Sequence, residues 1–208
     1  SFNKTDPVYG LDYIVSVANN KDLLANGFLN RENISHRLRL RWNISRVFTL
    51  FNDLGVGKKE NASEFLTNRN YQIQYYDESV SLNFQPSVSF RISIDYSWAD
   101  KENINSAFDD HEKAEIHNVG LKTRYSPRQK GNLSVQANYI FLKYNHETNT
   151  PVAFVMLEGF NPGRNITWLV IFQRKLSKAL QLSLNYNGRT SEDRRIIHIG
   201  TVQLRAFF

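Results

Sequence analysis

The sequence contains no cysteine and no long apolar run. Its 208 residues include 0 Cys and 1 Met, which excludes a disulfide framework, a thiolate metal site and a cysteine nucleophile. The longest apolar runs, Ala153–Leu157 and Trp168–Phe172, fall far short of the roughly 20 residues that a membrane-spanning helix needs. The opening Ser1–Asp6 has no apolar stretch, so we expect no signal peptide there and expect a secreted chain to be processed or truncated.

The sequence also lacks the motifs of common cofactor sites. No glycine-rich phosphate loop and no paired His–Cys metal pattern is present. The string Gly55–Lys59 has neither the glycine spacing of a phosphate loop nor a following helix. We therefore predict no cofactor and no metal.

What the sequence does contain is alternation with a period of two, the signature of half-buried strands. In Val88–Trp98 the even positions are apolar or aromatic and the odd positions are polar. Similar or weaker alternation predicts about ten strands, in Val8–Ala18, Asn33–Ser45, Val47–Gly57, Tyr71–Gln85, Val88–Trp98, Glu115–Tyr125, Leu133–Tyr144, Ile166–Leu176, Leu180–Asn187 and Gly200–Phe208. Mean hydropathy is −0.48, but the strands of a membrane barrel turn half of their residues away from lipid and give only a weak hydrophobic signal.

The connections alternate between short and long. Short turns are predicted at Ser45-Arg46, Pro86-Ser87, Ser126–Asn132 and Ser177-Lys178, and long loops at Asn19–Glu32, Lys58–Asn70, Ala99–Lys113 and Asn145–Arg164, with a shorter loop at Gly188–Arg194. Outer-membrane barrels have this asymmetry. The apolar segment Val152–Leu157 would break the alternation if it were a strand, so we predict that it belongs to a long loop that folds over or into the barrel mouth.

These patterns predict an all-β fold, an antiparallel transmembrane β-barrel of about 10 strands or the last 10 strands of a larger barrel. Residues 1–208 form a single domain in this interpretation, or a C-terminal portion of a longer protein. The alternative is a soluble sandwich or a lipocalin-like barrel, which also alternates. Aromatic residues near the strand ends favour the membrane interpretation because they match interfacial girdles; they are Trp42, Trp98, Trp168, Tyr13, Tyr125, Tyr139 and Tyr186.

Charged residues on the polar face carry the only candidate site. Because a charge facing lipid near the midplane costs about 2–4 kcal/mol, we predict that these side chains face the lumen: Arg37, Arg39, Arg41, Arg91, Asp95, Lys122 and Arg124. They could attract anions, or they could form a packed polar interior in which the cations pair with Asp12, Asp53, Asp95 or Glu115.

The last strand carries an assembly signal. Gly200, Val202, Leu204, Ala206 and Phe208 share one face, and an edge strand of this kind can be captured by strand addition. The pattern resembles the signal recognised by the barrel-assembly machinery, which implies that the chain is a substrate of that machinery.

The stretch from Leu157 to Phe208 carries a broader resemblance. Leu157–Gly163, Leu182–Arg189, Ile197–Gly200 and Gln203–Phe208 together resemble the C-terminal region of large outer-membrane β-barrel proteins of Bacteroidota. The resemblance covers about the last quarter of the chain. It implies a barrel in the bacterial outer membrane and says little about activity.

We predict a non-enzymatic barrel that displays extracellular loops and serves as a structural or accessory subunit of an outer-membrane complex. One alternative is a hydrolase of omptin-like architecture, with Asp109-Asp110-His111 and His146-Glu147 at the extracellular mouth. A second alternative is a narrow pore that prefers anions. No residue is predicted to be catalytic.

The predicted partners follow from the charge and the compartment. The net charge is +6, and basic residues in loops and at strand ends suit the phosphates of lipopolysaccharide. The partners are therefore outer-membrane lipid and lipopolysaccharide, the barrel-assembly machinery during insertion, and other outer-membrane proteins or lipoproteins. We predict no nucleic acid as a partner.

Overall fold

The chain forms one long antiparallel sheet. The computed structural model describes residues 2–3, 5, 8–24, 27–105, 110–127, 131–177, 179–192 and 194–207. Within them the strands are Tyr9–Leu24 (β1), Gly27–Asn43 (β2), Phe48–Ser63 (β3), Tyr71–Ser87 (β4), Phe90–Asn103 (β5), Glu112–Tyr125 (β6), Asn132–Tyr144 (β7), Gly163–Lys175 (β8), Leu180–Ser191 (β9) and Ile197–Ala206 (β10). Each strand pairs with the next in sequence order. The prediction of an all-β antiparallel fold with about ten strands is confirmed.

Two short helical pieces occur among the residues that the structure describes. A 3₁₀ turn spans Thr67–Arg69, and one α-helix, α1, spans Pro151–Met156 between β7 and β8. In the described residues no helix has both the length and the apolar character needed to cross a membrane.

The strands extend beyond the apolar segments that predict them, so several predicted loops are too long. The loop predicted at Asn19–Glu32 is largely strand, because β1 continues to Leu24 and β2 begins at Gly27. The same holds for parts of the loops predicted at Lys58–Asn70, Ala99–Lys113 and Gly188–Arg194. The ladder of backbone hydrogen bonds continues where both faces are polar, because that ladder does not depend on side-chain polarity.

The four connections predicted to be short all lie at one end of the sheet, and they are residues 44–47, 88–89, 126–131 and 176–179, with the turn predicted at Pro86-Ser87 displaced by two residues. The predicted alternation of short and long connections fails once, because β1 ends at Leu24 and β2 begins at Gly27 at the opposite end. The C-terminal end of β10 lies at this same end, where the Phe207 amide donates to the Ala179 carbonyl at 2.8 Å. Phe208 lies outside the described residues. We call this end the short-loop end and the other end the long-loop end.

The two edges of the sheet differ from its interior. In the described part of the chain, β10 pairs only with β9, and all ten of its residues are exposed. β1 pairs with β2 and, at a single bridge, Leu11 pairs with Phe2. Both edges therefore present backbone groups that the described residues leave without strand partners.

The sheet has two chemically different faces. One face carries α1, and we call it the α1 face; the opposite face we call the outer face. The outer face has a lower aromatic row near the short-loop end, formed by Tyr9, Trp42, Phe48, Phe84, Phe90, Tyr125 and Phe172. An upper row is formed by Tyr13, Tyr76, Tyr96, Trp98, Tyr139, Trp168 and Tyr186. Mainly aliphatic side chains lie between the two rows, and many are exposed, among them Leu38, Leu40, Ile94, Val119 and Leu184.

Three tyrosines of the upper row contact a histidine on the adjacent strand. The Tyr hydroxyl lies 2.7 Å from His36 Nδ1 at Tyr13, 2.9 Å from His117 Nδ1 at Tyr96, and 2.8 Å from His198 Nδ1 at Tyr186. In each pair the histidine is the diagonal neighbour, two positions from the direct cross-strand partner. The outer face thus repeats one polar contact at the border between its apolar band and the polar strand ends.

Candidate functional site

A small apolar core lies on the α1 face, beneath the loop between β7 and β8. The sheet contributes Ile73, Ala114, Ile116, Ile140 and Leu142, and the loop contributes Val152, Ala153, Met156 and Leu157. All nine side chains are buried, and Met156 is 0% exposed. The predicted loop segment Val152–Leu157 is therefore not a strand; most of it is helix, and it packs against the α1 face of the sheet.

Local sequence explains why α1 begins and ends where it does. The Ala153 amide donates to Thr150 Oγ1 at 3.0 Å, and Pro151 stands at the first helical position, where its missing N–H costs nothing. After the helix, Glu158 and Gly159 have φ of 56° and 78°. This left-handed pair reverses the chain, so that Glu158 returns toward the sheet.

Lys101 holds the loop between β7 and β8 against the α1 face of the sheet. Its Nζ donates to Glu158 Oε1 at 2.7 Å and to the Met156 carbonyl at 3.0 Å. The Lys101 side chain is 10% exposed and the Glu158 side chain is 60% exposed, so the ammonium group is buried while the carboxylate reaches solvent. Removing Glu158 would leave the buried ammonium group without its charged partner, which is costly for a buried charge.

A polar network borders the core toward the long-loop end. Asn103 Nδ2 donates to Glu112 Oε2 at 2.6 Å, and the Tyr144 hydroxyl donates to Glu112 Oε1 at 2.9 Å. The Gln72 amide donates to Asn103 Oδ1 at 3.0 Å. Because its members are hydrogen-bonded, this cluster stays buried beside the apolar core without a large desolvation cost.

Below α1 lies a chamber of about 400 Å³. Arg37, Lys59, Asp77 and Lys101 line its charged side, and Tyr75 and Phe160 stand beside them. Arg37 Nη2 donates to Asp77 Oδ2 at 3.1 Å. Lys59 Nζ lies 5.2 Å from the centroid of the Tyr75 ring, within the range of a cation–π contact.

Two glycines make room for these side chains. Gly55 stands between Arg37 and Asp77 in the register of β2, β3 and β4, and a Cβ there would lie 2.4 Å from Asp77 Oδ1. At Gly57 a Cβ would lie 2.5 Å from the Tyr75 hydroxyl and 2.6 Å from the Ile34 carbonyl. Because Gly55 and Gly57 have no side chains, Arg37 can reach Asp77 and Tyr75 can lie across β3.

All seven charged residues predicted to share one face do share it. Strand register places Arg37, Arg39, Arg41, Arg91, Asp95, Lys122 and Arg124 on the α1 face. Arg39 Nε donates to Asp53 Oδ1 at 2.7 Å, one of the predicted partners. Glu115 was predicted as another, and this is wrong: it lies on the outer face, where it pairs with Lys143 at 2.8 Å and His117 at 3.1 Å.

The charges of the strands divide unequally between the faces. The α1 face carries twelve basic residues, Arg31, Arg37, Arg39, Arg41, Lys59, Arg91, Lys101, Lys122, Arg124, Lys175, Arg189 and Arg205, and six acidic ones, Asp12, Asp22, Asp53, Asp77, Asp95 and Glu112. The outer face carries six basic residues, Lys21, Lys58, Lys113, Lys143, Arg164 and Arg174, and six acidic ones, Glu32, Glu60, Glu78, Asp100, Glu102 and Glu115. The strand residues of the α1 face thus sum to +6, equal to the net charge of the whole chain, and those of the outer face sum to zero.

The histidines of the hypothetical hydrolase site do not line the chamber. His111 Nδ1 lies 2.9 Å from Glu102 Oε1, and Glu102 is on the outer face. His146 Nε2 contacts the Asp110 carbonyl at 2.7 Å, so the two predicted loops do meet. Asp109 lies outside the described residues. The His111–Glu102 pair is therefore turned away from the chamber under α1.

Sequence reasoning missed several residues of the chamber. Lys59 was counted only with the basic residues of loops and strand ends, and Tyr75, Asp77, Lys101 and Glu158 were not singled out as site residues. Lys59 and Lys101 lie in segments that were predicted as loops and are strand, and there both faces are charged, so alternation could not assign either lysine to a face. Asp77 and Glu158 reach the site through strand register and through a loop, which alternation does not encode.

Comparison with known proteins identifies the class of fold. No protein-family model matches the chain, and no curated protein matches it. The solved structure of the CymD monoaromatic hydrocarbon channel is similar, with a TM-score of 0.50 and 7% identity over 97% of this chain and 71% of that chain. The siderophore receptor PirA from Acinetobacter baumannii is similar with a TM-score of 0.65 and 11% identity. The match covers 98% of this chain and 37% of PirA.

Both neighbours are outer-membrane β-barrel proteins, a channel and a receptor rather than enzymes. At these identities the likeness concerns the fold alone. The chain therefore has the antiparallel sheet of an outer-membrane β-barrel protein, and it spans little more than a third of the length of PirA.

Proposed function

We propose that the chain forms part or all of the wall of an outer-membrane β-barrel, and that this barrel passes or takes up anionic solutes. The outer face contacts lipid, and the α1 face lines an aqueous interior. The observation that carries this proposal is the division of charge, with a sum of +6 on one face and zero on the other. An interior of one sign raises the local concentration of counter-ions and favours their passage.

The aromatic rows support the membrane setting. Tyr and Trp concentrate where a bilayer meets water, and outer-membrane barrels carry such girdles above and below an apolar band. The upper row, with Tyr96, Trp98 and Tyr186, separates the aliphatic residues from charged ones such as Asp100, Glu102 and Lys143. If the aliphatic residues contact lipid tails and the upper row lies at the headgroups, the lipopolysaccharide phosphates lie next to the basic residues above that row.

The membrane setting also requires that the two open edges of the sheet be paired in a closed barrel. Unpaired backbone groups do not occur in the hydrocarbon region, because each costs several kcal/mol. In the membrane β1 and β10 therefore pair, either with each other in a ten-stranded barrel or with further strands in a larger one. The exposure of all ten β10 residues fits such a seam.

The β10 edge supports the assembly hypothesis as well. Gly200, Val202, Leu204 and Ala206 all lie on the outer face, where an assembly factor could add a strand to the free edge. Capture by the barrel-assembly machinery remains a prediction, as does the role of Phe208.

The anion-preferring interior is favoured over the structural or accessory role predicted first. Any membrane barrel turns its charges away from lipid, because a charge facing hydrocarbon is costly; the argument for anions is the sign of the charge, since the α1 face carries twelve basic strand residues and only six acidic ones. The accessory role and its protein partners remain predictions, and no described arrangement of residues favours the hydrolase alternative.

Ion selectivity in planar bilayers tests the proposal. Under a tenfold KCl gradient, the reversal potential of the full-length protein should show preference for chloride. Replacing Arg37, Arg39 and Arg41 by Gln should move the potential toward that of a non-selective pore. The matched control replaces the outer-face Lys58, Lys113 and Lys143 by Gln and should leave the potential unchanged.

A second variant keeps the test usable if the triple arginine variant does not fold. Lys122→Gln with Arg124→Gln removes two charges from the same face, near the short-loop end. A protein that inserts but shows no chloride preference contradicts the proposal. So does a selectivity that responds as strongly to the outer-face lysine substitutions as to the α1-face substitutions.

A further inference from the structure

The chamber under α1 has one apolar wall and one charged wall. The apolar wall combines sheet and loop side chains, namely Ile73, Ile116, Ile140, Leu142, Val155 and Phe160. The charged wall is formed by Arg37, Lys59, Asp77 and Lys101, which come from β2, β3, β4 and β5, together with Glu158 of the loop. A site with an apolar lining and a few placed polar groups is the usual form of a small-molecule pocket.

Two of the three cations in this wall already have a carboxylate partner. Arg37 pairs with Asp77 at 3.1 Å, and Lys101 pairs with Glu158 at 2.7 Å. Lys59 differs: among the described residues no carboxylate lies within 4 Å of its ammonium group. Its charge is therefore the one that remains available to an anion.

Lys59 is also held in place. Its ammonium lies 5.2 Å from the Tyr75 ring centroid, and Gly57 gives that ring the space to lie flat across β3. The side chain is exposed rather than buried, so a solute in the chamber reaches it without displacing protein groups.

We propose that the chamber binds a small organic anion with an apolar body. Its carboxylate pairs with Lys59, and its body packs against Phe160, Val155 and Ile73. The volume of about 400 Å³ lies toward the lower end of the usual range for ligand pockets, which suits a body the size of one substituted ring. This inference rests on the proposed function, because it requires the α1 face to be open to solutes.

The neighbour of Lys59 on the chain provides a matched control. Lys58 lies on the outer face and pairs with Glu60 at 2.9 Å. Lys58→Gln and Lys59→Gln remove the same charge from adjacent positions of one strand, but only the second lies in the chamber. For the apolar wall, Phe160→Ala is matched by Phe154→Ala, because Phe154 is 68% exposed on the same loop.

Calorimetric titration of the full-length protein in lipid nanodiscs tests the inference, with empty nanodiscs as the baseline. The probes are 3-phenylpropionate, the neutral 3-phenylpropan-1-ol and the short anion propionate. We expect 3-phenylpropionate to bind at least tenfold more tightly than either other probe. Lys59→Gln and Phe160→Ala should each weaken its binding at least tenfold, whereas Lys58→Gln and Phe154→Ala should leave it unchanged.

The inference is overturned if the acid and the alcohol bind equally, if no probe binds, or if the Lys58 and Lys59 variants behave alike. These outcomes are separable from failure of the proposed function. Chloride preference without 3-phenylpropionate binding contradicts this inference alone. Binding that depends on Lys59 in a protein without chloride preference supports the site and contradicts the anion-preferring passage.

Discussion

The two faces of the sheet are built from the same strands, yet they have opposite chemistry. Adjacent residues such as Arg39 and Leu40 project to different sides, so a single strand serves both. The α1 face holds excess positive charge, a buried core and a chamber, and the outer face holds an aliphatic band between aromatic rows. Each face is therefore specified by every second residue, because side chains alternate along a strand.

The faces also differ in what covers them. On the α1 face one loop is folded back and held by Lys101 and by the buried side chains of α1. On the outer face large apolar side chains such as Ile94 and Val202 are 52% and 71% exposed. Such a surface needs an apolar surrounding, which the bilayer would supply.

Moving a charge from one face to the other should give the largest effect. Leu184 belongs to the outer aliphatic band, opposite Phe172 and Val202 on the neighbouring strands, and Asn185 follows it on the α1 face. Leu184→Arg should lower the free energy of unfolding in lipid vesicles by about 2–4 kcal/mol, the cost of an arginine facing hydrocarbon. Guanidinium titration measures this, and Asn185→Arg should change the value little. Equal destabilisation by both variants would mean that the faces do not differ in environment.

Weakening the α1 core should have the next largest effect, and it should be local. Met156→Ala removes a fully buried side chain, with an expected loss of about 2 kcal/mol. Hydrogen exchange of the α1 amides should then become about 30-fold faster, while exchange in β2 stays the same. Phe154→Ala, at an exposed position of the same helix, is the control. Unchanged exchange in the Met156 variant would contradict the packing of α1 on the sheet.

Closing the space over β3 should cost somewhat less. In Gly57→Ala the added methyl group meets the Tyr75 hydroxyl and the Ile34 carbonyl, and such overpacking should cost about 1–2 kcal/mol. Gly200→Ala is the matched control, because nothing lies within 4 Å of a Cβ at that position. Denaturant unfolding of the two variants gives the comparison; the same stability for both would show that Tyr75 does not lie across Gly57.

The smallest effect is expected at the upper aromatic row. Tyr186→Phe removes the hydroxyl that contacts His198 and should lower stability by about 0.5–1 kcal/mol. Tyr139→Phe changes a tyrosine of the same row without a described histidine contact and should be close to neutral. A loss of equal size in both variants would assign the effect to the interface rather than to the Tyr–His contact.

Much of this two-faced design could be predicted from the sequence. Alternation in Val88–Trp98 assigned β5, and the cost of charge in lipid assigned Arg37, Arg39 and Arg41 to one face. Both arguments are local, since they use only neighbouring residues of one strand.

The chamber could not be predicted in the same way. The Arg37–Asp77 pair depends on two strand registers and on the missing side chain of Gly55, and the Lys101–Glu158 pair depends on how a loop folds back. The apolar run Val152–Leu157 indicated a buried segment but did not specify a helix, because short apolar runs suit several structures. The polar ends of the strands were predicted as loops, because a hairpin that is polar on both faces has the same low hydropathy as a loop.

Single-cysteine labelling tests the two faces most directly, and the absence of native cysteine makes every introduced thiol unique. Cysteines at positions 91 to 97 of β5, in protein reconstituted into lipid vesicles, would be treated with a charged, membrane-impermeant maleimide. We expect labelling at positions 91, 95 and 97 and protection at 92, 94 and 96, whereas position 93 is not informative because Ser93 is buried on the α1 face. Labelling of Ile94→Cys together with protection of Asp95→Cys would contradict the assignment of the outer face to lipid and of the α1 face to water.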